Sequence, residues 1–336
     1  MKVFIHHRQK KETAIFEGAR MRKTLKGACE AVGVEWVDSP HMDAEIAHFI
    51  SPRDLHLAKA EKERGSKIVV SAFYCESDPE ACFFKETWTG NEKLSERGKQ
   101  MLEVADLILV PSEGLRRYLV NIGLQAKIDV LRPTVDLRRF SGPIQEAMIF
   151  PRYFTLPPNA KTVIATGSYA DKKTLDFIKN VAKACPKIDF YFFGVFPKRD
   201  GFGLSRAVAL VKKPKNLHLL RTVQDDIYRS GILNCLAYIS NDSLRPDAIR
   251  SLEAFAAKRQ VLVIGPARKK GENLLLEEGS TCFYFDDPEK MGKYLLTLYQ
   301  GSAPSTIISA YKVAESHSLP YFGKKLKEEY ESLIGE

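Results

Sequence analysis

No apolar run in this 336-residue chain approaches the ~18–20 residues that a helix needs to cross a bilayer, so no membrane-spanning helix is expected. The opening Met1-Lys2-Val3-Phe4-Ile5 is too short for the core of a secretion signal and is soon followed by Arg8, Lys10 and Lys11; it reads as a first strand. None of the six cysteines (Cys29, Cys75, Cys82, Cys185, Cys235 and Cys282) forms a CxxC pair, and most sit inside apolar stretches. That usage fits reduced, buried thiols in a cytoplasmic protein. Among the seven histidines, His6 and His7 are adjacent and no HxxxH or HExxH spacing occurs, so no metal site is expected. Zinc-finger and RNA-binding signatures are also missing.

What is present is ordinary globular material: 44% hydrophobic and 28% charged residues, enough chain for two cores. The net charge of +9 points to anionic partners. Basic residues gather at 8–11, at Arg20, Arg22, Lys23 and Lys26, at 212–215 and at 268–270. These patches lack the interleaved aromatics of single-strand binders, so nucleic acid is not an expected partner. The second cluster falls on a segment, Gly18–Val32, whose apolar residues Met21, Leu25, Cys29 and Val32 recur at helical spacing. A basic helix face of this kind can rest on anionic lipid, each charge contributing about 1 kcal/mol, or can simply be solvated.

Strand-like and helix-like segments alternate along the chain. Short apolar runs at Lys2–His6, Glu45–Ile50, Lys67–Phe73, Asp106–Val110 and Lys127–Leu131 are separated by helical patterns, among them Pro52–Arg64. Four prolines within Ser141–Ala160 mark a linker. The alternation then restarts with strands at Lys161–Thr166, Ile188–Phe193, Asn216–Leu220, Leu233–Ile239 and Gln260–Ile264, helices at Lys172–Cys185, Gln224–Ser230 and Pro246–Ala257, and a helical end from Pro288 to about Leu333. Strands alternating with helices imply parallel βαβ units. The expected division is an N-terminal Rossmann-like domain over 1–150, a C-terminal one over 151–315, and a closing helix over 316–336 that packs back on the first domain.

Several passages resemble the retaining glycosyltransferases of family 4. Ala105–Ser112, with Tyr118, Gly123 and Lys127–Leu131, looks like the last βαβ unit of that family's N-domain. Pro133-Thr-Val-Asp136 with Phe140 stands where the family often has Asn-Gly-Val-Asp and a Phe. Tyr228, Leu252-Glu-Ala-Phe-Ala256 with Gln260–Val263, and Gly279–Asp286 resemble later family passages. The chain departs from the pattern in places. The first glutamate of the family's E-x7-E motif falls on Arg245, counting back from Glu253; Lys258 and Gln260 replace the usual Gly and Pro; and the arginine of the family's Gly-Arg-Leu…Lys element is replaced within Gly167–Lys173. Length and layout are also similar to the enzymes that extend membrane glycolipids in low-GC Gram-positive bacteria. The resemblance implies an α/β protein of the GT-B type, with two Rossmann-like domains facing a central cleft, and no bound metal or other cofactor.

Ligands of open parallel sheets bind beyond the carboxyl ends of the strands, so site residues are sought in the strand-to-helix loops. Gly167 and Ser168, ahead of a helix that begins near Lys172 and Lys173, suit the diphosphate of a nucleotide-sugar, because glycine admits close approach and helix amides and lysines favour phosphate. Ser243 and Arg245 lie before a helix opened by Pro246, and Glu253 follows about two turns on. The resemblance makes Glu253 the acceptor of the ribose hydroxyls. Each of these residues also has a plainer reading as turn or solvated helix face. Tyr74, Cys75 and Glu76 follow a buried strand where the family places a histidine; Glu76 is a candidate base for the acceptor hydroxyl, Cys75 a candidate nucleophile, and Tyr74 and Gly18 candidate acceptor contacts. Asp225-Asp226 and Asp286-Asp287 read as helix caps and solvated acids. The expected activity is retaining transfer from a UDP-sugar to a glycolipid or lipid-linked glycan, in a cytoplasmic protein peripheral at the inner face of the cell membrane. Alternatives are a capsule-type or soluble-acceptor transferase, or a non-catalytic sugar-nucleotide binder of the same fold.

Overall fold

The structure, a computed structural model, describes residues 1–7, 17–40, 43–72, 83, 94–142, 144–157, 160–169, 171–195, 212–221, 223–241, 248–267 and 275–335. The chain separates into two compact units. One contains Phe16–Asp136 and His317–Glu336 with the first strand; the other contains Leu137–Ser316.

In the first unit, β1 (Lys2–His6), β2 (Glu35–Val37), β3 (Ile46–Phe49), β4 (Lys67–Ser71), β5 (Leu107–Val110) and β6 (Lys127–Val130) form one parallel sheet in the order β2-β1-β3-β4-β5-β6. Helices α1 (Glu17–Ala31), α2 (Leu55–Glu63), α3 (Glu96–Val104) and α4 (Glu113–Asn121) make crossovers. All four residues of β3 and of β5 are buried, as expected of parallel strands covered on both faces. A parallel sheet also explains why these strands read as unbroken apolar runs. The short β2, mostly part-exposed at the sheet edge, has no counterpart in the sequence reading.

The second unit repeats the plan: β7 (Thr162–Ser168), β8 (Asp189–Val195), β9 (Leu217–Arg221), β10 (Ala237–Ser240), β11 (Gln260–Ile264) and β12 (Phe283–Phe285) run parallel in the order β12-β11-β10-β7-β8-β9. Its longer helices include α7 (Lys172–Ala184), α8 (Asp225–Asn234), α9 (Ile249–Ala256), α10 (Pro288–Tyr299) and α11 (Ile307–Ser316). The chain reverses strand order between β7 and β10, which makes their carboxyl ends the topological switch point. Two Rossmann-like domains are therefore present.

Three local expectations are corrected. The proline-rich segment is no bare linker: it holds α5 (Ile144–Ala147) and α6 (Ile149–Tyr153), with Phe150 fully buried against Tyr191 at 5.0 Å between ring centroids. Ser230 fixes this pair of helices, accepting from the Phe150 amide at 2.8 Å and donating to the Ala147 carbonyl at 2.7 Å. Pro151 stands in the first turn of α6, where a missing N–H costs nothing. Leu233 and Asn234 belong to α8 rather than to a strand, which starts only at Ala237. The helical end breaks into α10, α11 and α12 (Leu319–Gly335), and α11 and α12 fall in different units.

Helix α12 lies on α1 and buries Leu319, Phe322, Leu326, Tyr330 and Leu333 against Leu25, Ala28 and Cys29. The two backbones meet at Gly323, where a Cβ would stand 2.5 Å from the Ala28 carbonyl oxygen. Beneath them, the buried ring of His48 on β3 bonds through Nδ1 to the Tyr330 hydroxyl at 2.5 Å and through Nε2 to Ser71 on β4 at 2.8 Å. Burial depresses the His48 pKa to about 3, so the ring is neutral.

This packing also changes the reading of α1. Arg20 and Lys26 are buried, and Arg22 and Lys26 both pair with Asp38. The Lys26 ammonium lies 3.9 Å from the Trp36 ring centroid. Burial raises the Asp38 pKa, but the hydrogen bond from Lys26 and the charges of Arg22 and Lys26 outweigh it, and the group ends below its ordinary value. Of the four basic residues, Lys23 is the exposed one. The remaining charge is folded into the unit and does not form a continuous basic face.

Candidate functional site

At the β7–β10 switch point, Gly167 is the penultimate residue of β7. A side chain there would reach 3.2 Å from the Phe192 ring and 3.5 Å from the Asn241 amide nitrogen. The strand ends thus approach closely enough that a small residue is needed. Thr166 and Tyr238 bond at 2.7 Å below, both buried, and form a closed floor. Ser168 and Gly167 are partly exposed above it.

The first turn of α7 differs from the sequence expectation of open amides. Asp171 caps the helix itself, accepting from the Thr174 amide at 3.0 Å and from the Thr174 hydroxyl at 2.6 Å. One orphan donor is consumed and a negative charge is placed at the helix end. Lys172 and Lys173 follow directly and are exposed, as cations near this turn.

Glu253 does not lie on a solvated helix face. It is 2% exposed, and its carboxylate sits between two arginines. Arg139, on the 3-10 turn Leu137–Phe140, reaches Glu253 Oε1 through Nη1 at 3.3 Å and Asp225 Oδ2 through Nη2 at 2.5 Å. Arg250, itself 4% exposed, approaches Glu253 Oε2 at 3.6 Å and lies over the Tyr228 ring at 5.1 Å. Arg229 donates to the Arg139 carbonyl at 3.3 Å and pairs with Glu146 at 2.8 Å. Ser251, two residues before Glu253, bonds to Ser240 at the end of β10 at 3.0 Å and ties α9 to that strand end.

The Asp225 reading is corrected here. Its carboxylate is an ion-pair partner of Arg139, while Asp226 bonds to the adjacent Ile227 amide. Asp287 does cap α10, accepting from the Glu289 amide at 2.7 Å.

Ser243 and Arg245 lie outside the described residues, as do Tyr74, Cys75 and Glu76. The residue that follows the first of these stretches, Ala248, is buried with φ +23°, a conformation that L-residues rarely adopt. Gly18 is buried in the first turn of α1 in the other unit.

Sequence reasoning missed Arg139, Arg250 and the role of Asp225. The i,i+3 spacing of Arg250 and Glu253 was a legible signal; the pairing of Arg139 with Glu253, 114 residues apart, was not. It also gave no histidine a local context. The structure sets His6, at the carboxyl end of β1, 3.6 Å from Asp54, whose side chain is 2% exposed. Among the described residues, no group of three His, Cys, Asp or Glu is placed to hold a metal, and no helix is long and apolar enough to cross a membrane.

No protein-family model matches the chain. It is 23% identical over 319 residues to the processive diacylglycerol alpha-glucosyltransferase of Acholeplasma laidlawii, covering 92% of this chain and 91% of that one. Among solved structures, Anabaena Alr3699/HepE in complex with UDP and glucose superposes with a TM-score of 0.70 at 11% identity, over 99% of this chain and 100% of that one. A glycosyltransferase from Rickettsia africae gives 0.64 at 12% identity, over 99% and 98%. The full-length likeness to these structures shows that the two domains have the GT-B fold, and in sequence the chain is similar to a glycosyltransferase.

Proposed function

We propose that this protein transfers a hexose from a UDP-sugar, with retention, to a hydroxyl of a membrane glycolipid. The observation that carries the donor half is the buried Glu253 carboxylate on α9, the helix that Ser251 ties to the end of β10. A charged oxygen acceptor fixed in a dry setting suits vicinal ribose hydroxyls, which need strong acceptors. Gly167 and Ser168 would let the diphosphate approach the backbone, and Lys172 and Lys173 would offset its charge. Ser243 amides and Arg245 would complete the donor contacts, and Tyr74, Cys75, Glu76 and Gly18 are assigned to the acceptor side. Positive charge beside the departing diphosphate would stabilise it as the glycosidic bond breaks, and this reading calls on no metal. The Anabaena structure holds UDP and glucose, and the Acholeplasma relative acts on a diacylglycerol lipid; both support the reading. In this reading the protein works in the cytoplasm, at the inner face of the membrane.

A second reading, transfer to a capsule-type or soluble acceptor, is favoured by one finding: the basic side of α1 is spent on Asp38 and Trp36 within the unit. The deciding experiment incubates the protein with labelled UDP-glucose and vesicles containing diacylglycerol or monoglucosyl-diacylglycerol, with and without anionic lipid. Label in an α-linked lipid product, assigned by the anomeric proton coupling, is expected. UDP binding without transfer to lipid, but with transfer to a soluble glycan, would establish the second reading. UDP binding with no transfer at all would leave a sugar-nucleotide binder. No UDP binding at millimolar concentration would remove the donor assignment itself.

A further inference from the structure

We infer that Arg139 is a positioning residue for the donor ribose, acting through Glu253 and itself aligned by Asp225; this rests on the reading of Glu253 as the ribose acceptor. The geometry is specific. A guanidinium is a planar fork, and here its two terminal nitrogens go to different carboxylates: Nη2 to Asp225 at 2.5 Å and Nη1 to Glu253 at 3.3 Å. The three residues come from three elements: the 3-10 turn at the start of the second unit, the first turn of α8, and α9. Arg139 and Asp225 are 15% and 16% exposed at their side chains, and Glu253 is 2% exposed. In such surroundings a charge pair is desolvated, and removing one member leaves the other uncompensated.

The arrangement divides the work on the carboxylate. Arg139 holds Oε1 from one side, and Arg250 stands 3.6 Å from Oε2 on the other. A carboxylate offers about four lone-pair sites and can take several donors at once, so the Arg139 contact at 3.3 Å can orient the group while hydroxyls bind it. The Asp225 contact is the shorter of the two and fixes the guanidinium plane. The 3-10 turn is held in place by the Arg229 bond to the Arg139 carbonyl and by buried Phe140. Arg139 therefore takes its position from its own neighbours, and Glu253 takes its orientation from Arg139. The lost first glutamate of the E-x7-E pattern sharpens the need: with Arg245 in its place, the remaining glutamate is the one carboxylate of that motif.

The test measures ribose discrimination, which a merely structural role would not move. Dissociation constants for UDP, 2′-deoxy-UDP and 3′-deoxy-UDP are determined by calorimetry for the wild type, Arg139→Met, Arg139→Lys, Asp225→Asn and Glu253→Gln. The wild type should prefer UDP by roughly tenfold to a hundredfold, the worth of hydrogen bonds to a charged group. Glu253→Gln and Arg139→Met should both bring the preference towards one, and Asp225→Asn should lower it part of the way. Arg139→Lys, with a point charge and no fork, should recover only part of it. Wild-type preference that persists undiminished in Arg139→Met overturns the positioning role and leaves the Glu253 reading standing. A wild type that binds UDP without any ribose preference overturns both. If Arg139→Met does not fold, the near-isosteric Asp225→Asn decides: an unchanged preference there overturns the alignment claimed for the fork.

Discussion

In the first unit, His48 on β3 joins Ser71 on β4 to Tyr330 on the closing helix α12. In the second, Arg139 joins Asp225 on α8 to Glu253 on α9. Both are buried side-chain bridges that tie separate elements together, yet one is neutral and the other is built from full charges. A neutral ring with both nitrogens bonded is an inexpensive way to lock a helix onto a sheet, because nothing charged has to leave water. A buried charge network is costly, and an apolar core of the same volume would hold the fold as well or better. The comparison teaches where to look for function: a neutral bridge is explained by structure alone, whereas a network of full charges asks for a further reason.

Four measurements sharpen or break that contrast. The largest effect is expected for Arg250→Met, which removes a buried cation beside the Glu253 carboxylate; chemical denaturation should show a loss of about 3 kcal/mol, and a change below ~0.5 kcal/mol would mean that the cluster is effectively solvated. Next is Gly323→Val. Its Cβ would meet a backbone carbonyl at 2.5 Å, so α12 must shift, at about 2 to 3 kcal/mol. The loss should appear in urea melts, with exposure of α1 and α12 in hydrogen exchange; unchanged protection there would show that the two helices are not in close contact. Tyr330→Phe removes the Nδ1 partner of His48 and should cost about 1 to 2 kcal/mol while UDP binding stays unchanged. Altered UDP affinity would break the division between structural and functional bridges.

The smallest effect per step is in pH. His48 is held near pKa 3 when folded, against an ordinary value of 6.5. Between those values the unfolded chain binds a proton that the folded chain refuses. Stability from this group is therefore complete above about pH 6.5 and declines by about 1.4 kcal/mol for each unit of acidification. His317, lowered mainly by burial despite its bond to the Pro133 carbonyl, acts in the same direction. Denaturation midpoints at pH 7, 6 and 5 check this: His48→Gln should flatten the slope, and an unchanged slope would remove His48 as its source.

Much of the framework was legible. β5, β10 and β11 follow from short apolar runs, and the capped starts of α4 at Ser112 and α10 at Asp287 follow from residue type. Lys258 adopts φ +56° just after α9, a conformation that favours the glycine expected there from the resemblance, and its ammonium lies over Tyr311 at 4.4 Å. Gln260, standing for the usual proline, is explained only by its partner, since its side chain exchanges two hydrogen bonds with Thr306. Proline density misled at 141–160, because Pro151 in a first helical turn does not oppose a helix. The basic face of α1 misled because residue type does not reveal that Asp38 and Trp36 fold over it.

By itself the sequence determined the alternation of strands and helices and the two parallel sheets, because periodicity and caps are local properties of the chain; the candidate donor glutamate was implied by the family resemblance. Only the tertiary structure decided which charges meet. Arg139 and Glu253, or His48 and Tyr330 across 282 positions, become neighbours through the order of strands in a sheet, and no spacing along the chain records that order.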